Sequence, residues 1–157
     1  MSNTSIHPFY HFYFTTFDPT TLLLTVLSCI FTPKSLLDLI VPTPARPLPP
    51  LEAALVYQTA GLYGFMGIMF AVLLRSTNDI KVWRIVEGAT LAVDVSLLGV
   101  LLVVLDMQGR LGLGEWRASE IVNAGFVVWC VILRASFLMG VGVGEDKGDG
   151  SEWKKVV

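Results

Sequence analysis

Four long apolar stretches, at about residues 9–31, 51–74, 82–105 and 120–143, are separated by shorter polar links. A hydrocarbon core roughly 30 Å thick takes about 20 helical residues to cross, at about 1.5 Å each. Each stretch meets that length, so the pattern predicts an all-α fold: a four-helix transmembrane bundle within residues 1–144, followed by a polar tail at 145–157. The stretch 82–105 carries an acid, Asp94, near its middle. A carboxylate there costs on the order of 3 kcal/mol on insertion scales and normally faces a partner or a cavity. Helical spacing places Trp83, Glu87, Thr90 and Asp94 on one face and Val93, Val100 and Val104 on others, so the polar stripe is expected to point inward.

The remaining stretches supply possible company for Asp94. Six of the nine residues at 9–17 are aromatic, as where a chain enters the headgroup belt. Asp18-Pro19 then admits two readings, because proline is tolerated in a first helical turn. Asp18 caps a helix that starts there, or one helix runs from 9 to 31 with a kink; the second is preferred. Residues 32–50 hold six of the eight prolines and are expected to form an extended loop, with a short interfacial helix at 35–41. In 51–74, Gly61, Gly64 and Gly67 form a ridge of small residues suited to close helix packing. Glu52, Tyr57 and Gln58 are candidates to face the interior, although an acid in a first turn also answers the helix dipole. Residues 75–84 form a short polar link, and 106–120 a second one, with Ser119 as the expected N-cap of the last crossing. There Glu120, Asn123, Val127, Cys130 and Arg134 share a face, and Arg134 is the expected partner of Asp94, because consecutive helices joined by a short link run antiparallel. That ion pair either fixes helix register or takes part in function.

Composition agrees with a membrane protein: 54% of residues are hydrophobic, 15% charged, and the mean hydropathy is +0.66, against about 25% charged in soluble domains. A net charge of −2 with no long basic run argues against nucleic acid as a partner. Cys29 and Cys130 lie in apolar stretches without metal-ligand spacing and read as packing residues, so neither a disulfide nor a metal is expected. His7 and His11 sit in the aromatic leader, where packing or interface contact explains them. The first 17 residues contain no Lys or Arg, so no secretory signal is recognised and the N-terminus is expected to be retained. Arg75, Lys81, Arg84, Lys147, Lys154 and Lys155 flank one side, against Lys34, Arg46, Arg110 and Arg117 on the other. That bias places both termini in the cytosol. Lys154-Lys155-Val156-Val157 resembles the dilysine signal that retrieves membrane proteins to the endoplasmic reticulum, which is read from the cytosol. Asn3-Thr4-Ser5 fits the glycosylation pattern, but a cytosolic N-terminus leaves it unused.

Several short motifs carry a family resemblance: Pro8-Phe9-Tyr10, Phe17-Asp18-Pro19, Phe31-Thr32-Pro33, Leu74-Arg75 with Thr77-Asn78-Asp79, Lys81-Val82-Trp83, Asp94, Gln108-Gly109-Arg110-Leu111, Trp116-Arg117 and Arg134. Together they resemble a family of small four-helix fungal membrane proteins catalogued as a domain of unknown function. More loosely, the chain resembles the membrane-bound hydrolases that open polyene epoxides in aurovertin- and citreoviridin-type polyketide pathways. In architecture it is similar to the four-helix sterol isomerases and sterol-binding receptors of the endoplasmic reticulum, but the histidine and paired acids of those isomerases are not evident, so their chemistry is not carried over. The second resemblance implies an enzyme of secondary metabolism that opens or hydrolyses an epoxide on a polyene or terpenoid intermediate and assists cyclisation. Its substrate would be an apolar small molecule met in the lipid bilayer, with pathway oxygenases as possible partners and no cofactor.

Epoxide opening needs a proton delivered to the ring oxygen and a water or internal hydroxyl activated for attack on carbon. Glu87 as acid, Asp94 as base and Arg134 bridging them form a sufficient catalytic set, which would resemble the Asp-Arg-Asp arrangement of small epoxide hydrolases by convergence. Glu52, Tyr57, Gln58, Thr90, Asn123 and Asp18 are the candidate binding residues. Ser96, the serine of the third crossing, has no histidine near it in sequence. The competing class is a non-enzymatic lipid-binding or scaffolding membrane protein.

Overall fold

The computed structural model describes residues 4–42 and 47–145. Asn3, Arg46, Lys147 and the Lys154-Lys155 pair lie outside them, as does the tail beyond residue 145. A three-residue strand β1 (Thr4–Ile6) precedes the first long helix, α1 (Pro8–Phe31), and a short helix α2 (Pro33–Leu37). Then come α3 (Pro50–Ser76), α4 (Ile80–Met107), α5 (Ala118–Leu138) and a second strand, β2 (Val143–Glu145). Four helices, α1, α3, α4 and α5, are long and apolar enough to cross a membrane.

The boundaries follow local chemistry. Asp79 caps α4, its carboxylate accepting from the Lys81 backbone N–H at 2.8 Å. The last crossing, expected to reach residue 143, stops at Leu138 because Gly140 and Gly142 take φ values of +90° and +72°. The chain then turns into β2, which pairs antiparallel with β1, matching Thr4 with Glu145 and Ile6 with Val143. Neither strand was expected, and their pairing brings the two described ends of the chain together at one end of the bundle. Gly142 is required there: a Cβ would stand 2.8 Å from the Tyr10 ring. Arg117, not Ser119, caps α5, because the Glu120 carboxylate folds back onto the Arg117 N–H at 2.7 Å. The expected interfacial helix at 35–41 is instead α2 followed by a turn.

At Asp18-Pro19 the helix is continuous, and Asp18 is not its cap. Pro19 has no N–H to donate to the Thr15 carbonyl four residues earlier, and its ring crowds that oxygen. The backbone widens into a π turn at Tyr13–Phe17, where the Asp18 N–H bonds the Tyr13 carbonyl. The Thr15 carbonyl accepts from Arg75 Nη2 at 2.6 Å instead. A second π turn, Met69–Leu73 in α3, lies against the first with no proline beside it.

The helices pack as two close pairs, α1 with α3 and α4 with α5. Between the pairs the backbones stay farther apart, and side-chain volume decides what fills the gap. At the strand end it is filled by rings and large aliphatics: Tyr10, Tyr13, Phe14, Phe70, Trp83 and Phe137, with Leu74, Val86 and Leu133. Phe14 and Phe137 rings meet edge to face at 5.3 Å between centroids. Toward the opposite end the facing residues, among them Thr21, Thr25, Thr59, Tyr63, Met66 and Val93, leave a cavity of about 340 Å³. Leu36, Leu37, Leu39 and Ile40 line it too, so the α2 segment roofs the cavity. In α3, Gly64 and Gly67 face α1, where a Cβ added at Gly67 would stand 3.7 Å from Leu22, while one added at Gly61 would meet nothing within 4 Å. Steps of three residues fall about 60° short of a full turn, so three such glycines drift off one contact line.

The roof is tied down by a polar network. Arg110 grips both oxygens of Glu120, at 3.1 and 2.9 Å, and Arg117 Nε reaches Glu120 Oε1 at 2.8 Å. Arg117 also donates to the Asp38 carboxylate at 3.0 Å and to the Asp38 carbonyl at 2.7 Å, clamping the segment after α2 onto the start of α5.

Candidate functional site

Arg134 is the hub of the interior. It follows Cys130 by one helical turn on the buried face of α5, and the Phe14 and Phe70 rings cover its guanidinium, with centroids 5.8 and 5.6 Å from Cζ. Three carboxyls surround it. Nη2 donates to Asp18 Oδ2 at 2.8 Å, a buried charge-assisted bond that joins α5 to α1. Nε lies 3.3 Å from Asp94 Oδ2 and 3.5 Å from Glu87 Oε2, both from α4. These two are charge contacts without hydrogen-bond geometry. Among the described residues no hydrogen-bond partner is found for either Glu87 oxygen, for Asp94 Oδ2, or for Arg134 Nε and Nη1.

The expected meeting of Asp94 and Arg134 therefore occurs, but the closer partner of Arg134 is Asp18. The signal was legible: Asp18, Thr21 and Thr25 repeat at i, i+3 and i+7, and all three line the cavity. Asp18, Asp94 and Arg134 form its polar floor, while Asn123 lies farther along its wall. Glu87 belongs to the charge cluster but does not line the cavity; it is fully buried behind Arg134. Thr90 is also turned away, its hydroxyl donating to the Val86 carbonyl at 2.9 Å. Glu87, expected as a catalytic acid, and Thr90, expected as a binding residue, thus both lie off the cavity lining. Next to the floor, the Tyr13 hydroxyl and the Cys130 thiol share a 3.4 Å hydrogen bond. Cys29 and Cys130 are both buried free thiols.

The second correction concerns α3. Glu52, Tyr57 and Gln58 are exposed, Tyr57 to 52%, and none lines the cavity. The face that does so carries Val56, Thr59, Tyr63 and Met66. Lipid accepts apolar side chains as readily as a protein interior, so hydropathy alone does not mark the inward face of a crossing. Tyr63 and Thr59 escaped notice for that reason, as did Phe14 and Phe70, whose contact with Arg134 depends on the fold.

Four helices long and apolar enough to cross a bilayer, closed at one end by aromatics and surrounding an arginine–carboxylate cluster beside a cavity, are an arrangement compatible with an integral membrane protein. The chain belongs to the family described as a domain of unknown function (DUF7704), whose model matches residues 3–144. Neither the curated proteins nor the solved structures contain a match to it.

Proposed function

We propose that this protein is a membrane enzyme of the endoplasmic reticulum that opens an epoxide on an apolar polyene or terpenoid intermediate of secondary metabolism. The observation that carries the reading is the placement of two carboxyls, Asp18 and Asp94, on one guanidinium at the floor of an otherwise apolar cavity. Opening by water forms one C–O bond, breaks the ring C–O bond, and moves one proton off the water and one onto the ring oxygen. Asp18, oriented by its 2.8 Å bond from Arg134, takes the first. Asp94, which lines the cavity beside it, delivers the second. Arg134 holds both carboxyls on the same side of the substrate. Glu87 supports the cluster from behind and replaces neither acid, because it does not reach the cavity. An internal hydroxyl in place of water gives a cyclic ether with the same proton accounting.

Cytosolic termini and retention in the endoplasmic reticulum rest on the distribution of Lys and Arg and on Lys154-Lys155. Pathway oxygenases that form the epoxide are the protein partners this reading implies.

The test uses full-length protein in nanodiscs, supplied with a sesquiterpenoid epoxide and a conjugated polyene epoxide in ¹⁸O-labelled water. Diol carrying one label is expected, and Asp18→Asn and Asp94→Asn should each lower the rate by about 10²- to 10⁴-fold while the protein remains folded. Unchanged rates in both folded variants would overturn the assignment. Absence of turnover of either epoxide would favour the non-enzymatic lipid-binding or scaffolding reading.

A further inference from the structure

A groove of about 480 Å³ runs along the outer surface of the bundle between α1 and α3. Tyr63 is the one residue that lines both this groove and the internal cavity, so the two are separate sites. Gly64, Gly67 and Ala71 keep the α3 side open, because none carries more than a methyl group. Leu23, Ile68 and Val72, each more than half exposed, make the surroundings apolar. From Gly64 to Arg75 the groove follows α3 for about 16 Å at the rise of an α-helix. That is roughly half of a hydrocarbon core about 30 Å thick, the depth of one leaflet.

Arg75 stands where the groove meets the end of the crossing. Its guanidinium is pinned by the carbonyl that Pro19 leaves without a helical donor: Nη2 donates to the Thr15 carbonyl at 2.6 Å and to Thr16 Oγ1 at 3.3 Å. Nε and Nη1 donate to nothing among the described residues, and no carboxylate there forms an ion pair with this exposed side chain. The Thr16 hydroxyl, also in the groove, accepts from Arg75 and gives its own proton to no acceptor among the described residues. The link at 75–84 carries Arg75, Lys81 and Arg84 against one acid, Asp79, whose carboxylate is occupied in capping α4. A fixed cation without an acid, at the head of an apolar groove one leaflet deep, has the charge and the shape of a site for a lipid with a negative head.

We propose that the groove binds one anionic glycerophospholipid, its phosphodiester on Arg75 and Thr16 and one acyl chain lying over Gly67 toward Gly64. A guanidinium fork matches phosphate oxygens, and here it is ordered before the lipid arrives, which lowers the cost of binding. The excess of positive charge in the link favours a net negative headgroup over a zwitterionic one. With the termini cytosolic, this end of the bundle meets the leaflet that carries the anionic lipids. The inference is independent of the epoxide reading, because none of Asp18, Asp94 and Arg134 lines the groove.

Native mass spectrometry of the full chain, released from mild detergent, tests it with three lipids of identical palmitoyl and oleoyl chains: phosphatidylserine, phosphatidylcholine and diacylglycerol. One phosphatidylserine should be retained, about fivefold more tightly than phosphatidylcholine, with diacylglycerol weakest. Arg75→Gln should lower phosphatidylserine affinity about tenfold or more, and Thr16→Val about fivefold. Gly64→Leu alters no charge and obstructs the deep end of the groove. It should weaken dipalmitoyl phosphatidylserine and spare the dihexanoyl form, whose chains end before that position. Asp94→Asn, outside the groove, should retain the lipid as the parent does. Where Arg75→Gln folds poorly, because the Thr15 carbonyl loses its donor, the lipid series on the parent protein and Gly64→Leu decide the matter. Phosphatidylcholine or diacylglycerol retained as tightly as phosphatidylserine would overturn the proposal, as would several lipids adsorbed without saturation or full phosphatidylserine affinity in folded Arg75→Gln. Long-chain binding untouched by Gly64→Leu would overturn it as well.

Discussion

Glu87 and Glu120 are both completely excluded from solvent, yet their surroundings are opposite. Glu120 sits where α5 begins and accepts from two guanidiniums and a backbone N–H, every contact at 3.1 Å or less. Glu87 sits about two turns into α4, with one guanidinium at 3.5 Å and no hydrogen bond to either oxygen. A satisfied buried acid fastens structure, whereas one left under-satisfied costs stability that the fold retains only where something else requires it. By that measure the Arg110–Glu120–Arg117–Asp38 network is a clamp on the cavity roof, and the Arg134 cluster is the under-satisfied part of the interior, on which the proposed function rests.

Arg134→Met should break the contrast most severely. It leaves three acids without a cation, and loss of one partner from a buried ion cluster typically costs about 3 to 5 kcal/mol, read as a loss of unfolding free energy in detergent. Adding Asp18→Asn, Glu87→Gln and Asp94→Asn to that variant should recover most of the loss. A single variant as stable as the parent would mean that the charges are not coupled.

Glu120→Gln comes next. It weakens charge-assisted bonds worth roughly 1.5 to 3 kcal/mol, and the same unfolding measurement should register a loss of about that size. Glu87→Gln, at identical burial, should have the opposite sign or no effect, with stability equal to the parent or higher by about 1 kcal/mol, because it removes an acid that nothing hydrogen-bonds. Equal losses at positions 87 and 120 would erase the distinction between clamp and site.

The smallest effect belongs to Asp38→Asn. The Asp38–Arg117 pair is partly exposed, and such pairs contribute about 1 kcal/mol or less. Its expected readout is faster backbone hydrogen exchange across residues 33–41 with little change in overall stability. Unchanged exchange there would show that the pair does not hold the roof.

Much of the fold was legible because membrane crossings are set by length and hydropathy. The four predicted stretches match α1, α3, α4 and α5 to within a few residues at most ends, and the larger overrun, in α5, traces to glycines that take positive φ. The inward stripes of α4 and α5 were legible for a related reason. Glu87, Asp94, Glu120 and Arg134 are costly in lipid, so helical spacing directs them inside, and all four are buried. On α3, Glu52, Tyr57 and Gln58 did not follow that logic, because groups near a crossing's end can reach the interface while the helix turns another face inward.

The sequence by itself determined the crossings, the two polar stripes, and the break in the α-helical ladder before Pro19, since each follows from covalent structure or from the cost of polarity in hydrocarbon. Only the tertiary structure decided which acid lies nearest Arg134, that Glu87 is shut off from the cavity, and that a second π turn in α3 brings Phe70 over the guanidinium. Those outcomes depend on how two helix pairs settle around side chains of unequal size. Helical spacing assigns a residue to a face, but the partner across that face depends on the rotation and depth of a neighbouring helix, which packing sets and local sequence does not.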